Sequence, residues 1–298
     1  MISIIGSGLV GTSIAFLCAT NALDDILLID HTKNKALGES LDITSSISST
    51  SKYSIIGTDD YSKLTGSKII VITASTKTNL KNRTENMSQQ VNLIKDIAKK
   101  IKEYSPNAIV LIVSNPLDVL TYFFQKEAQI PRFKVIGIAS SLDSRRFQYQ
   151  IANNFCIPQT SITNALVLGE HGDTMVPIFS NVHVDGHFFS ISDDKQDVIT
   201  CNVRNSWKML RDYQCQSKFG IARNVYDVID TILNKKEISV PVSIVLEGEY
   251  GENNVAMGVP TKINHAGVVE IKNMNFNPSE KNLFKKSSET IKNHIHSI

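Results

Sequence analysis

Met1-Ile2-Ser3-Ile4-Ile5-Gly6-Ser7-Gly8-Leu9-Val10-Gly11 is the stretch that decides the fold class. Met1–Ile5 reads as a buried strand, and the glycine-rich turn after it opens a helix over Leu9–Ala19. Gly6 permits the tight turn, and Gly8 lets backbone approach a pyrophosphate. Gly11 lets helix and strand pack closely, with the phosphates at the helix N-terminus. Such a glycine pattern is weak by itself and gains weight from its surroundings. Ile26-Leu27-Leu28-Ile29-Asp30 is a second apolar strand, and it ends in an acid about twenty residues further on. A carboxylate at Asp30 binds ribose hydroxyls and repels a 2′-phosphate, so the site is expected to take NAD in preference to NADP. His31 and Lys33 lie just beyond and soften that exclusion.

Working outward, Ile69–Ala74, Ala108–Ser114 and Lys134–Ile138 read as further strands, with helices over Thr84–Glu103 and Asp118–Ala128. Near-continuous apolar strands alternating with helices predict a parallel, doubly wound α/β sheet covered on both faces. The second half changes character. Ser161–Leu168 and Met175–Val184 read as strands, followed by a mostly helical region from Lys195 to Asn234. Ser239–Glu247, Asn253–Pro260 and Thr261–Ile271 then predict antiparallel pairing, with a turn signal over Ile263–Gly267. Pro278 opens a last amphipathic helix toward His294. The expected organisation is a Rossmann dinucleotide-binding part, 1–141, and an α+β substrate part, 142–298. No Gly/Ser-rich linker separates them, so a wide shared interface is expected.

Composition excludes other classes. A formal net charge of +2 over 298 residues gives no pull toward nucleic acid or acidic lipid. The longest apolar runs are too short to span a bilayer, and no cationic leader precedes an apolar segment, so a cytoplasmic location is expected. Cys18, Cys156, Cys201 and Cys215 lack paired metal-ligand spacing and read as reduced packing residues, with no metal site.

Three further motifs carry the chemistry. Gly169-Glu170-His171-Gly172-Asp173 follows an apolar run, which places a histidine at a strand end between glycines. Leu142-Asp143-Ser144-Arg145-Arg146-Phe147 opens a helix with a carboxylate and a guanidinium on neighbouring turns. Ser114-Asn115-Pro116-Leu117-Asp118 ends a strand at the carboxyl edge of the sheet, where open α/β sheets bind ligands.

With the late P-V-S…G-x-Y-G…V-P series, these motifs occur in the order found in the lactate/malate dehydrogenase family, which the sequence resembles over nearly its whole length. The resemblance implies an NAD-dependent enzyme that interconverts a small 2-hydroxy acid and its 2-oxo acid. By position, His171 matches the catalytic histidine and Asp143 its carboxylate partner. Arg146 matches the arginine that grips the substrate carboxylate, and Asn115 the asparagine that bonds the reacting oxygen. Arg83 matches the loop arginine that polarises the carbonyl, and Ser217 a position lining the substrate pocket. Chemistry suits these roles. Removing hydride from a C–OH carbon requires a base for the hydroxyl proton, and Asp143 would orient the imidazole and favour its protonated form. A planar guanidinium holds a carboxylate bidentately.

In this family the residue six positions before the loop arginine goes with substrate choice, arginine with malate and glutamine with lactate. Counting back from Arg83 gives Lys77, in a loop one residue short of the usual pattern. Its positive charge favours a dicarboxylate, malate or oxaloacetate. If the gap lies elsewhere, Thr78 or Lys81 takes that position. Lactate dehydrogenase is the runner-up, and an NAD-dependent family 4 glycosidase or a non-catalytic NAD-binding protein the remoter readings. The resemblance also implies a homodimer or homotetramer, with the apolar positions of a helix around Ala36–Ile47 available to line its interface.

Overall fold

The computed structural model describes residues 1–76 and 86–298. In chain order the first half runs β1 (Ile2–Ile5), α1 (Leu9–Thr20), β2 (Ile26–Ile29), α2 (Lys33–Ile47), β3 (Ile55–Thr58), β4 (Ile69–Ile72), α3 (Met87–Tyr104), β5 (Ile109–Ile112), α4 (Leu117–Ala128), β6 (Val135–Gly137) and α5 (Ser140–Phe155). Every residue of β1, β2, β4 and β5 is buried, as expected of strands covered on both faces by helices. The six strands are parallel in the order β6-β5-β4-β1-β2-β3. Strand order therefore reverses between β1 and β4, which is where doubly wound sheets open a crevice at their carboxyl ends.

The second half contributes β7 (Ile162–Thr163), β8 (Leu166–Leu168), β9 (Val176–Ile178), β10 (His183–Val184), β11 (His187–Phe188), α6 (Asp193–Asp212), α7 (Phe219–Leu233), β12 (Ile238–Glu247), β13 (Asn253–Asn264), β14 (Gly267–Ile271) and α8 (Pro278–His296). β12, β13 and β14 form an antiparallel meander that joins the edge of the parallel sheet. The joint is one residue pair, Ser243 of β12 opposite Gly137 of β6. A Cβ at Gly137 would stand 2.8 Å from that of Ser243, so the glycine is what lets the two strands approach. The result is a nine-stranded sheet that runs through both halves. The main core follows it, and a smaller cluster around Phe147, Ile151 and Val182 sits under α5 and α6. Among the described residues no helix is long and apolar enough to cross a membrane.

Several elements differ from the sequence expectation. β3 was not anticipated, because Gly57 interrupts its β-forming residues. A Cβ there would meet the Ala36 carbonyl oxygen at 2.1 Å, so close packing of α2 on β3 forbids a side chain. The expected strand Ser161–Leu168 is two strands, broken where Asn164 takes a left-handed conformation, φ 58°. Met175–Val184 likewise holds two, with a short 3₁₀ turn over Phe179–Asn181 between them. The helical stretch Lys195–Asn234 is two helices, separated around Gln214 at φ 56°. Conversely, β13 runs straight through Pro260 to Asn264, with Pro260 facing Pro241 of β12. The helix expected from Thr84 begins at Met87 among the described residues; Thr84 itself lies outside them.

Candidate active site

The glycine turn has the geometry its sequence foretold. Gly6 has φ 106°, and a Cβ on it would collide with Ala74 N and Thr73 Oγ1, each at 2.8 Å. A Cβ on Gly11 would come within 2.0 Å of the Gly6 carbonyl oxygen, so helix α1 packs against the turn only because position 11 has no side chain. Gly8 is different: nothing lies within 4 Å of where its side chain would start, which leaves open space over the first turn of α1.

Asp30 follows β2 directly and is 7% exposed. Its Oδ2 accepts from the backbone N–H and the hydroxyl of Ser7, both at 2.9 Å, and its Oδ1 from the Thr32 N–H at 3.0 Å. His31 Nδ1 lies 3.0 Å away and Lys35 Nζ 3.7 Å. Burial works against ionisation here, but the donors from Thr32 and Ser7 and the Lys35 charge prevail and hold the carboxyl below its usual value. Asp30 is thus a fixed anion that ties the glycine turn to the end of β2.

Asn115 lies at the carboxyl end of β5, before Pro116 at the entry to α4. Its Oδ1 is buried and has no hydrogen-bond partner among the described residues. A buried acceptor left unmatched costs about 1–3 kcal/mol, which a ligand bringing an N–H or O–H would recover.

The proton-handling cluster is built on α5. Asp143 sits in its first turn, yet its carboxylate does not cap the helix. It is 1% exposed, and its Oδ2 is 2.5 Å from His171 Nδ1 while its Oδ1 accepts from Arg146 Nη1 at 3.2 Å. Arg146 Nη2 donates to Ser217 Oγ at 3.2 Å, across to the segment between α6 and α7. Neighbouring Arg145 instead points to Gln148 and is exposed, so the geometry separates the two arginines. His171, Asp143, Arg146 and Ser217 therefore form one connected group. Lys77 and Arg83, with the alternatives Thr78 and Lys81, lie outside the described residues.

The histidine is held from its backbone as well. Three successive N–H groups in its loop are each tied to a different element. Gly169 donates to the Gly258 carbonyl of β13 at 2.9 Å, Glu170 to Ser287 Oγ of α8 at 2.7 Å, and His171 to Asp118 Oδ2 of α4 at 2.7 Å. Asp118 Oδ1 in turn accepts from Ser243 Oγ of β12 at 2.6 Å. Burial pushes the Asp118 carboxyl up to about 7, against the hydrogen bonds from Ser243 and His171 and with the help of the Glu170 and Asp143 charges.

His171 opens on a cavity of about 390 Å³, whose walls include Asp118, Glu170, Trp207, Lys208 and His294. Arg146 lines a smaller neighbouring cavity of about 230 Å³ with Tyr149 and Tyr213. Sequence reasoning assigned no role to Asp118 or Ser243, although both stand inside motifs it singled out, S-N-P-L-D and P-V-S. It also passed over Trp207, the only tryptophan of the chain, and Lys208 beside it.

Residues 1–137 match the lactate/malate dehydrogenase NAD binding domain, and residues 140–298 the lactate/malate dehydrogenase alpha/beta C-terminal domain. The chain belongs to the lactate/malate dehydrogenase family. Malate dehydrogenase of Ehrlichia canis is 34% identical, covering 100% of this chain and 98% of its own length. L-lactate dehydrogenase 1 of Clostridium acetobutylicum is 32% identical with the same coverage, 100% and 98%. A crystal structure of Cryptosporidium parvum lactate dehydrogenase, complexed with lactic acid and NAD, superimposes with a TM-score of 0.95 at 34% identity, covering 99% of this chain and 96% of that one. As a member of this family the protein is an NAD-dependent oxidoreductase, and its residues 1–137 are the NAD-binding domain. Its own residues fit the cofactor. The open space over Gly8 leaves room for a pyrophosphate against backbone, Asp30 is a fixed anion beside that turn, and Asn115 offers an unmatched buried acceptor.

Proposed function

We propose that this enzyme interconverts malate and oxaloacetate with NAD, using His171 as the acid–base group. The observation that carries the chemistry is the 2.5 Å contact between His171 Nδ1 and the buried Asp143, with Arg146 on the other carboxylate oxygen. With Nδ1 committed to Asp143, Nε2 is the ring nitrogen that exchanges a proton with substrate. When bound, NAD supplies the hydride acceptor and donor.

In the oxidative direction His171 Nε2 removes the C2 hydroxyl proton of malate, and Asp143 offsets the positive charge that develops on the ring. In the reductive direction the same nitrogen returns the proton to the carbonyl oxygen of oxaloacetate. Arg146 binds the substrate's C1 carboxylate. Its fork is already oriented by Asp143 and Ser217, so little side-chain freedom is lost on binding. Ser217 shapes that end of the pocket. Asn115 bonds the reacting oxygen or the cofactor through its side-chain amide, and Arg83 stabilises negative charge on the carbonyl oxygen. Gly6, Gly8, Gly11 and Asp30 hold the cofactor. We propose 141/142, inside the first turn of α5, as the division between cofactor-binding and substrate-binding parts, a few residues beyond the 1–137 family match.

Malate is favoured because, by the family's spacing, Lys77 falls six positions before Arg83, where a cation goes with a second carboxylate on the substrate; Thr78 and Lys81 are the alternatives if the one-residue gap lies elsewhere. A lactate reading has its own support, since a relative of equal coverage is named L-lactate dehydrogenase 1. Steady-state assays with NADH and either oxaloacetate or pyruvate separate the two. A higher kcat/KM for oxaloacetate that collapses in Lys77→Gln is expected, and a clear preference for pyruvate in the unmodified enzyme overturns the choice of malate. The enzyme is further proposed to work as a homodimer or homotetramer. Leu37 and Leu41 of α2, 43% and 70% exposed, give such an interface apolar surface to bury. Sedimentation velocity that finds only monomer would reject it.

A further inference from the structure

Asp118 is a buried carboxylate for which the proton and hydride chemistry has no use. It sits in the first turn of α4, where a carboxylate is favoured by the helix dipole, yet it makes no cap to its own helix. It reaches away from α4 instead. One oxygen accepts the backbone N–H of His171 at 2.7 Å and the other the hydroxyl of Ser243 at 2.6 Å, with the residue 3% exposed. Ser243 is also the residue at which the antiparallel meander meets the parallel sheet, opposite Gly137.

We propose that Asp118, braced by Ser243, is a positioning residue that fixes the main chain of His171 so that its ring stands against Asp143. The imidazole is then held at two points: Asp143 sets the ring at Nδ1, and Asp118 sets the backbone from which the ring projects. Gly169 and Glu170 are tied to β13 and α8, but His171 is flanked on its other side by Gly172, whose backbone is intrinsically loose. Without Asp118 the last tether before that glycine is gone. A small rotation of the His171 backbone then carries Nε2 away from the reacting oxygen, and a misplacement near 1 Å lowers turnover by about 10²-fold. That Asp118 stays in place although burial opposes its charge is consistent with a specific duty for its two oxygens.

The inference rests on His171 being the acid–base group and is tested on the full-length enzyme with whichever of oxaloacetate or pyruvate it reduces. In Asp118→Ala, kcat is expected to fall at least about 30-fold while KM and the NADH dissociation constant stay within about threefold, because both Asp118 oxygens are committed to His171 and Ser243. In Asp118→Asn the side-chain oxygen still accepts from His171 and the amide donates to the Ser243 hydroxyl, so kcat is expected to return to within about threefold. Amide hydrogen exchange in a peptide covering 169–175 is expected to speed up in Asp118→Ala and not in Asp118→Asn. If Asp118→Ala does not fold, Ser243→Ala decides: it keeps Asp118 but removes the brace, and a fall of about three- to tenfold in kcat with unchanged KM supports the assignment. A kcat within twofold of the unmodified enzyme in Asp118→Ala, or in Ser243→Ala where that variant decides, overturns it. So does equal loss in Asp118→Ala and Asp118→Asn, which marks a need for the charge. An unmodified enzyme that oxidises NADH with neither 2-oxo acid overturns the functional reading itself, and this inference with it.

Discussion

Asp143→Asn is the sharpest single perturbation of this site, since it changes charge and hydrogen-bonding sense at almost constant volume. In the enzyme, Asp143 accepts on both oxygens, from His171 at 2.5 Å and from Arg146 at 3.2 Å. An asparagine has only one accepting oxygen. If that oxygen faces His171, its NH₂ confronts the Arg146 guanidinium, donor against donor. If it faces Arg146, the NH₂ donates to Nδ1 and forces the ring proton onto Nε2, the nitrogen that has to accept the substrate's proton. Either arrangement also withdraws the negative charge from a pair in which Asp143 is 1% and His171 9% exposed. Removing one partner of a buried charged pair costs about 3–5 kcal/mol. At about 1.4 kcal/mol per tenfold, that corresponds to a fall of about 10²- to 10⁴-fold in kcat/KM. The assay is NADH oxidation at 340 nm with oxaloacetate and with pyruvate, beside NADH binding by fluorescence and a thermal melt. Binding within about twofold of the parent is expected, because the Asp143 carboxylate bonds to His171 and Arg146, which are assigned to proton transfer and substrate. Less than a tenfold loss of kcat/KM in a folded variant that binds NADH would refute the dyad as the source of acid–base catalysis.

Three other outcomes follow from the same geometry. Arg146→Lys replaces a fork held by Asp143 and Ser217 with a point charge and is expected to raise KM for the 2-oxo acid by about tenfold or more; Arg145→Lys, on the exposed neighbour, is expected to leave it unchanged. Gly11→Ala sets a Cβ 2.0 Å from the Gly6 carbonyl, a backbone atom that cannot swing aside, so a loss of about 1–3 kcal/mol in stability and at least a tenfold weaker NADH dissociation constant are expected by denaturation and titration. For pH dependence, the Asp118 carboxyl titrates at about 7 in the fold against 3.8 as its ordinary value, so between those limits the folded chain binds more protons than the unfolded one. Its contribution therefore favours folding below pH 4 and is lost as pH rises through 7. Asp118→Asn, which has no proton to lose, is expected to gain stability relative to the parent from pH 4 to 8 in urea melts, and a constant difference across that range would contradict the assignment.

What could be read from the sequence depended on how local the cause was. The glycine turn, its strand and its helix lie within twenty residues, so the positive φ of Gly6 and the close approach of Gly11 to the Gly6 carbonyl are written directly in the chain. Asp30 is nearly as close, and its spacing sets an acid beside the turn, but the hydrogen bonds it accepts from Ser7 were not read from the sequence. β3 was missed because Gly57 interrupts its β-forming residues, and the reason for that glycine, the Ala36 carbonyl of the preceding helix α2, shows only once the two elements are packed. Asn164 and Gln214 broke expected elements by adopting left-handed backbone, which polar residues at loop ends can do without a glycine to announce it. In the site, the identities of His171, Asp143 and Arg146 were legible as motifs because each motif is contiguous. The tethers were not, since Asp118, Ser243, Gly258 and Ser287 reach the histidine loop from four different places in the chain.

Those tethers have a bearing on the order of events when the chain folds. The loop carrying His171 is fastened across sequence separations of 28 to Asp143, 53 to Asp118 and 117 at the Ser287 contact of its neighbour Glu170. The cofactor turn itself meets Asp30, Thr73 and Ala74, all in the first half. Long closures form late because their entropy is spent before their contacts repay it. Turnover is therefore expected to return in refolding only once α8, near the C-terminal end of the chain, has docked and Ser287 holds the loop from which His171 projects.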